Sequence, residues 1–217
     1  FTNAELRYEW YFAPEQRFSI AGFYKQIDKP IEAFTAFNDN TPVTSFANAP
    51  KATLLGVEVE SQKYIDMDLV FDTPFFASRR GVLIGNYTWS DSKIEVGAGD
   101  TVDVFGTTTQ PASNFFVDGS PLTGQSNHLV NVQIGLEDRE SLSQQTLLIS
   151  CASDRAFSRG ASGLPDVVES PGVNIDFVVR QGVNWVGQDL ELKFEARNLL
   201  ETEYQEFQER GGNKVFF

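Results

Sequence analysis

The side chains best suited to covalent chemistry are the chain's single histidine and single cysteine, His128 and Cys151. A thiol beside an imidazole can act as a nucleophile when a third group orients the imidazole. The sequence indicates no such third group, and Cys151 continues an apolar alternation with Leu147 and Ile149. We therefore predict that the chain is not an enzyme and that it has no catalytic residues.

A second set of reactive side chains consists of the carboxylates of Asp100 and Asp103 in the glycine-rich stretch "GAGDTVDVFG". Clustered carboxylates bind calcium, but their spacing here matches no dedicated calcium loop. A Cys/His zinc site also needs more than one cysteine and one histidine. The sequence thus predicts no metal site and no cofactor, and a solvated loop at this stretch.

Charge and length narrow the classes of partner. The chain has 217 residues, with 30 acidic and 17 basic side chains and a formal charge of -13. Nucleic acid is not expected as a partner, because binding to phosphates requires clustered Lys and Arg. No apolar run approaches the roughly 20 residues of a membrane-spanning helix.

The elements that must position these side chains follow a period of two. In "LVNVQIGLE", for example, apolar residues alternate with polar residues, as on a β-strand with one face on each side. The chain is therefore predicted to be all-β and antiparallel, with about eight strands. The predicted strands lie near residues 2–12, 17–28, 52–64, 81–96, 126–137, 143–152, 172–181 and 189–198.

The stretch "DLELKFEARNLLETEYQEF" (189–207) fits two periods. Apolar residues recur at helical steps of three and four, but its first half also alternates strictly between apolar and charged residues. Since period two holds in the other segments, we predict a strand as far as Asn198. A helical turn is expected only within residues 199–207.

Connection lengths alternate between short and long. Residues 13–16, 138–143 and 182–188 form short connections, whereas 28–51, 97–125 and 153–171 are long and rich in turn-forming residues. This asymmetry is typical of outer-membrane barrels, which have short periplasmic turns and long extracellular loops. Residues 64–80 break the rule, because their position predicts a short turn.

The direction of the two faces distinguishes a soluble protein from a membrane protein. In a soluble barrel or sandwich the apolar face points inward, whereas in an outer-membrane barrel it points to lipid. Several strands reach the roughly 9–11 residues of a transmembrane strand, and aromatic residues such as Trp10 and Trp185 gather near strand ends. We favour a transmembrane β-barrel and keep a soluble ligand-binding barrel or sandwich as the alternative.

In the favoured interpretation, the charged face lines a wet lumen and the long loops select a solute. Cross-strand ion pairs that only keep the lumen hydrated are the simpler account of most of these charges. The lumen-facing candidates are Glu58, Glu60, Asp176, Arg180, Glu191, Lys193, Glu195 and Arg197. The loop candidates for ligand contact are Phe34, Phe37, Phe46, Phe105, Phe115 and Phe116.

Several motifs carry a resemblance to a known family. In chain order they are "ELRYEWYF", "FSIAGFYKQIDKPIE", "LLGVEVE", "NYTWSDSKI", "PLTGQSNHLVNVQIG" and "LELKFEARNLLETEYQEFQ". With these motifs the chain resembles the C-terminal part of the barrel of TonB-dependent outer-membrane receptors. The resemblance implies a 22-stranded barrel around a plug, which imports a scarce nutrient of the siderophore-iron, vitamin or sugar class.

The partners implied by this resemblance are the receptor's own plug domain and, through the plug, TonB. Outer-membrane lipid and a small nutrient ligand complete the set, and the bacterial outer membrane is the implied location. Residues 1–217 are then expected to form one partial barrel domain, without the plug, the early strands or the last strand. "QERGGNKVFF" is expected to be a loop that enters that last strand. A passive porin or an adhesin barrel is a further alternative.

Overall fold

The computed structural model describes residues 1–38, 41–104, 108–160 and 164–216, leaving out the side chains of residues 36–38, 42 and 108. These residues contain sixteen strands and two short 3-10 helices, Met67–Leu69 and Ala112–Asn114. The strands are β1 (Thr2–Ala13), β2 (Gln16–Asp28), β3 (Ile31–Asn38), β4 (Thr41–Asn48), β5 (Lys51–Asp66), β6 (Arg79–Glu95), β7 (Thr101–Val104), β8 (Thr108–Pro111), β9 (His128–Asp138), β10 (Ser143–Ala152), β11 (Arg155–Ser158), β12 (Val167–Ser170), β13 (Gly172–Trp185), β14 (Gln188–Ala196), β15 (Gln205–Arg210) and β16 (Asn213–Phe216).

Eight long strands form one antiparallel sheet, which we call the wall. Its order is β1-β2-β5-β6-β9-β10-β13-β14, so each wall strand pairs with the next wall strand along the chain. These are the eight strands that the alternation predicts, with ends that differ by at most four residues. The predicted all-β antiparallel fold is confirmed.

All connections between wall strands alternate between the two ends of the wall. Residues 14–15, 67–78, 139–142 and 186–187 lie at the end that we call the turn end, and residues 29–50, 96–127 and 153–171 lie at the opposite, loop end. At 186–187 both backbone φ angles are positive, 52° at Val186 and 75° at Gly187. Such a two-residue turn matches the twist of the paired strands, which lets β13 continue to Trp185, beyond its predicted end.

The loop end contains more regular structure than the sequence predicted. The long connections form the hairpins β3-β4 and β7-β8, and a four-stranded sheet has the order β11-β12-β15-β16. The expected loop in "QERGGNKVFF" is instead the β15-β16 hairpin, whose turn uses Gly211 and Gly212 at φ 59° and 82°. The prediction missed these strands because they have only four to eight residues each, too few to establish a clear period.

The helical alternative for residues 189–207 is wrong. Residues 188–196 form β14, and a hydrogen bond from the Glu201 N–H to the Asn198 carbonyl (2.9 Å) closes a turn. The chain then enters β15, where Phe207 is 4% exposed against its neighbours in the four-stranded sheet. The expectation of a strand followed by a short turn is therefore confirmed.

Candidate functional site

One face of the wall is polar across most of its width. Register places seven polar side chains side by side on neighbouring strands, and the Asn131 amide donates to the Asn86 carbonyl oxygen at 3.0 Å. Because each position is a direct cross-strand partner of the next, the row is fixed by the pairing of the strands. The row consists of Glu9, Ser19, Glu60, Asn86, Asn131, Ser150 and Asn174.

Ion pairs extend this polar face above and below the row. Arg7 of β1 reaches Glu58 of β5 across the intervening strand β2 at 3.4 Å, and Arg17 pairs with Glu60. Near the turn end, Arg80 contacts both Glu137 and Glu15, the second at 2.6 Å. These pairs are exposed or partly exposed, and exposed pairs contribute about 0–1 kcal/mol each, so they add little to stability and chiefly keep the surface hydrated.

The eight charged residues that the sequence singled out all lie on this polar face. In β13 and β14, Arg180 donates to Glu191 at 2.7 Å, and Glu195 lies between Lys193 and Arg197. Lys193 lies opposite Arg180 in register, whereas Glu195 lies opposite Val178.

The remaining three of these eight have partners of their own. Glu58 contacts Arg7 and Glu60 contacts Arg17, as described above. Asp176 accepts a hydrogen bond from the Asn198 N–H at 2.8 Å. Asp176 therefore holds the start of the turn that follows β14.

The opposite face of the wall is apolar and exposed. A row next to the polar one consists of Tyr8, Ile20, Val59, Tyr87, Val130, Cys151 and Val173. On β14, Leu192 is 59% and Phe194 62% exposed. A sheet surrounded by water would bury such a face, so this surface requires an apolar environment.

The hairpins at the loop end share one hydrophobic core. Phe34 from β3 packs in the same cluster as Ile94 from β6, Val104 from β7 and Phe116 after the second 3-10 helix. Phe34 and Phe115 also meet edge to face, with ring centroids 5.2 Å apart. The long connections consequently form a packed layer, which we call the cap.

A buried cluster of charges joins three connections within the cap. Arg159, from the third long connection, contacts Glu32 from the first at 3.0 Å and Asp166 at 2.7 Å. It also donates to the Pro121 carbonyl of the second connection. The Thr123 N–H donates to Glu32 at 3.0 Å. Arg159 and Glu32 are 2% and 1% exposed, so the Glu32 carboxylate depends on Arg159 for compensation, while Arg159 is compensated by both Glu32 and Asp166.

The loop phenylalanines occupy different environments. Phe34 and Phe116 are 2% and 1% exposed, and Phe115 is half-buried against them. Phe46 of β4 is 64% exposed. Phe105 lies outside the described residues, and for Phe37 only the backbone, in β3, is described. Phe34 and Phe116 thus build the core of the cap, which leaves Phe46 as the described ring that faces outward.

His128 and Cys151 do not form a pair. The His128 Nδ1 atom lies 2.8 Å from the Tyr87 hydroxyl, and the two rings stack with centroids 6.1 Å apart. Cys151 lies opposite Val130 and Val173 in the apolar row. The imidazole and the thiol thus share the apolar face of the neighbouring strands β9 and β10, where the imidazole contacts the Tyr87 phenol.

The two loop carboxylates line a polar cleft of about 480 Å³ between the first and second long connections. Asp100 accepts a hydrogen bond from the Gly97 N–H and Asp103 accepts one from the Thr109 hydroxyl, each at 2.7 Å. Lys29 lies on the opposite side of the cleft. Among the described residues, no three His, Cys, Asp or Glu side chains are grouped so that they could hold a metal ion.

Sequence reasoning named Glu60 from the polar row, but not the row's uncharged members as site residues, and it missed the buried charges of the cap. Serine and asparagine in the row carry no charge, so the alternation of charges did not include them. Arg159 and Glu32 are 127 residues apart in the chain, and no local pattern relates them. Both long connections carry other charged residues as well, so the sequence offers no signal that singles out this pair.

Further observations bear on the class of protein. No helix in the described ranges is long and apolar enough to cross a membrane. The model of the family described as "TonB dependent receptor-like, beta-barrel" matches residues 2–199. No curated protein and no solved structure matches the chain.

Proposed function

Because this chain belongs to the family of TonB-dependent receptor-like β-barrels, we propose that it supplies part of the wall and outer loops of an outer-membrane transporter. In this proposal the transporter takes up a scarce nutrient of the siderophore-iron, vitamin or sugar class, with energy delivered through TonB. The chain itself performs no catalytic step.

The observation that carries the proposal is the division of the wall into two faces. Seven neighbouring strands present a polar row on one side and an apolar row on the other, in register. In an outer-membrane barrel the apolar band meets lipid and the polar side faces an aqueous lumen. Arg180, Glu191 and their neighbours then form a hydrated wall against which a plug can slide or rearrange.

The polar face suits this role because its charges are already paired within the wall. Arg180 with Glu191, and Glu195 with Lys193 and Arg197, need no partner from the lumen. A plug or a solute can therefore leave this surface without exposing unpaired charges. The eight lumen-facing candidates act together as a wet lining in this mechanism, and none of them is a specific ligand contact.

Solute selection in this proposal belongs to the loop end. The cap is held by its own core and by the Arg159 cluster, so it presents a fixed outer surface. Phe46 is the exposed aromatic candidate for ligand contact in the described part of the cap. A preformed surface loses less conformational entropy on binding than a mobile loop does.

Uptake assays in the native bacterium test the proposal. Deletion of the gene should abolish uptake of one labelled class among ferric chelates, cobalamins and oligosaccharides, and loss of TonB should have the same effect. The full-length gene should restore uptake. Uptake that continues without TonB would indicate a passive porin, and a protein absent from the outer-membrane fraction would favour the soluble alternative.

A further inference from the structure

The turn-end connection between β5 and β6 is unusually apolar. Residues 67–78 begin with the 3-10 helix Met67–Leu69 and include four large exposed apolar side chains. Their exposed fractions are 83% at Leu69, 56% at Val70, 48% at Phe71 and 57% at Phe75. A connection that simply reversed the chain in water would not need these residues, since two residues suffice at 186–187.

The start of the connection packs on the apolar face of the wall. Gly81 is the register partner of Ile65 and Leu136, which belong to that face. A Cβ atom added at Gly81 would lie 3.2 Å from the Met67 methyl carbon, so Met67 covers the apolar side of β6. Arg79 lies over the Phe75 ring at 4.1 Å from its centroid. The exposed apolar residues are therefore continuous with the face that the proposed function assigns to lipid.

Many backbone N–H and carbonyl groups of the connection are hydrogen-bonded to one another. The N–H groups of Val70 and Phe71 both donate to the Met67 carbonyl, at 3.1 and 2.9 Å. Further along the chain, the Phe76 N–H donates to the Thr73 carbonyl at 3.0 Å, and the Arg79 N–H donates to the Phe76 carbonyl at 3.1 Å. Irregular backbone can enter an apolar environment only when its polar groups find partners nearby. This connection meets that condition to a large extent.

Aromatic stacking fixes its shape. The Phe76 ring stacks on Phe71 at 4.8 Å and meets Phe75 edge to face at 4.9 Å. Phe76 is half-buried, so it supports the two rings that are exposed. The Arg79 Nε donates to the Phe75 carbonyl at 2.9 Å, which ties the end of the connection to β6.

We propose that residues 67–76 form a foot that inserts into the boundary between headgroups and acyl chains of the leaflet at the turn end. The occupant of this surface is phospholipid, because the apolar residues continue the lipid-facing side of the wall. The acidic side chains at the foot, Asp66, Asp68 and Asp72, suit the headgroup level, where water remains available. Asp66 also pairs with Arg139 at 3.1 Å. The inference rests on the proposed membrane orientation of the wall.

Spin-label accessibility tests the foot in the full-length receptor, reconstituted in vesicles of phosphatidylethanolamine and phosphatidylglycerol. Nitroxides are attached at Val70→Cys or Leu69→Cys, with Cys151→Ser and any other thiol replaced. Phe194→Cys on the apolar face is the lipid control, and Glu140→Cys in another turn is the aqueous control. Each label is measured with oxygen, which concentrates in lipid, and with a water-soluble nickel chelate.

The expected result is an oxygen-to-nickel accessibility ratio at Val70 and Leu69 several-fold above that at Glu140 and close to that at Phe194. Nickel accessibility at both foot positions equal to that at Glu140, with Phe194 in lipid, would overturn the foot and leave the proposed function intact. Nickel accessibility at Phe194 as well would overturn the membrane orientation, and the foot with it.

Discussion

Arg159 and Glu32 are 127 residues apart in the chain, yet the Arg159 Nη2 atom lies 3.0 Å from the Glu32 carboxylate. Both side chains are buried in the cap. A buried ion pair is costly to assemble, because both ions lose their water, and costly to break, because the remaining ion is then buried alone. The pair therefore favours one arrangement of the long connections over all others.

Arg159→Met should loosen the cap. The substitution leaves the buried Glu32 carboxylate without its cation, at a cost of about 3–5 kcal/mol. Hydrogen exchange should accelerate in β3, in β11 and around Thr123, whereas wall strands should keep their protection. Mass-spectrometric exchange on the full-length receptor in detergent measures this difference.

Lys93→Met is the matched control for Arg159→Met. Lys93 pairs with Asp91 at 3.3 Å, but its side chain is 60% exposed. The loss of an exposed pair costs about 0–1 kcal/mol, so exchange in the cap should not change. Equal effects of the two substitutions would contradict a role for the buried pair in holding the connections together.

The wall could be predicted from the sequence because the alternation of apolar and polar residues is visible within single strands. Alternation in "LVNVQIGLE" places Val130, Val132 and Ile134 on one side, and register with β6 and β10 keeps them there. Five wall strands show this clear alternation, and β2, β6 and β10 are predicted by their β-branched and aromatic residues with weaker alternation. The charged candidates were placed on one face for the same reason.

The cap could not be predicted in this way. The sequence predicts Phe34 and Phe116 as loop residues available to a ligand, but both are buried in one cluster with Ile94 of β6 and Val104 of β7. Burial of this kind depends on contacts between segments that are far apart in the chain. A local period cannot encode those contacts, and short strands such as β11 offer too few residues to establish one.

Phe194→Arg and Glu195→Ala test the direction of the two faces. Phe194 is 62% exposed on the apolar side, and an arginine near the midplane of a bilayer costs about 2–4 kcal/mol. Glu195 lies on the polar side, where its loss should have a mild effect. Urea titration of the full-length receptor in lipid vesicles should show a large loss of stability only for Phe194→Arg. Equal tolerance at the two positions would refute the assignment of the faces.

Tyr204 should make the cap sensitive to alkaline pH. Its hydroxyl lies 2.6 Å from Glu169 and 2.8 Å from Glu206. Burial of the hydroxyl, together with these two carboxylates, raises the pKa of Tyr204 above its ordinary value. The folded state therefore favours the neutral phenol, and this contribution is complete below the unfolded pKa of about 10 and declines as the pH rises above it.

Tyr204→Phe removes this contribution at neutral pH. Because the ring is 60% exposed, the loss should be only about 0.5–1.5 kcal/mol. The difference in unfolding free energy between the native protein and the variant, measured from pH 8 to pH 11, should shrink above about pH 10. A difference that grows with pH would contradict the sign of the shift.

Val186→Asn should stabilise the protein, although it replaces an apolar residue at the turn end. Val186 adopts a φ of 52° and is 84% exposed. A β-branched residue is strained in this left-handed conformation, whereas asparagine is tolerated there and asparagine–glycine is the preferred pair for such a turn. The expected gain in unfolding free energy is about 1 kcal/mol.

Gly187→Ala is the opposing control, because a Cβ there meets no atom within 4 Å but the φ of 75° still disfavours alanine. Guanidinium titration of the full-length receptor should therefore move the midpoint up for Val186→Asn and down for Gly187→Ala. If both substitutions lowered it equally, contacts of the valine side chain would outweigh backbone conformation in this turn.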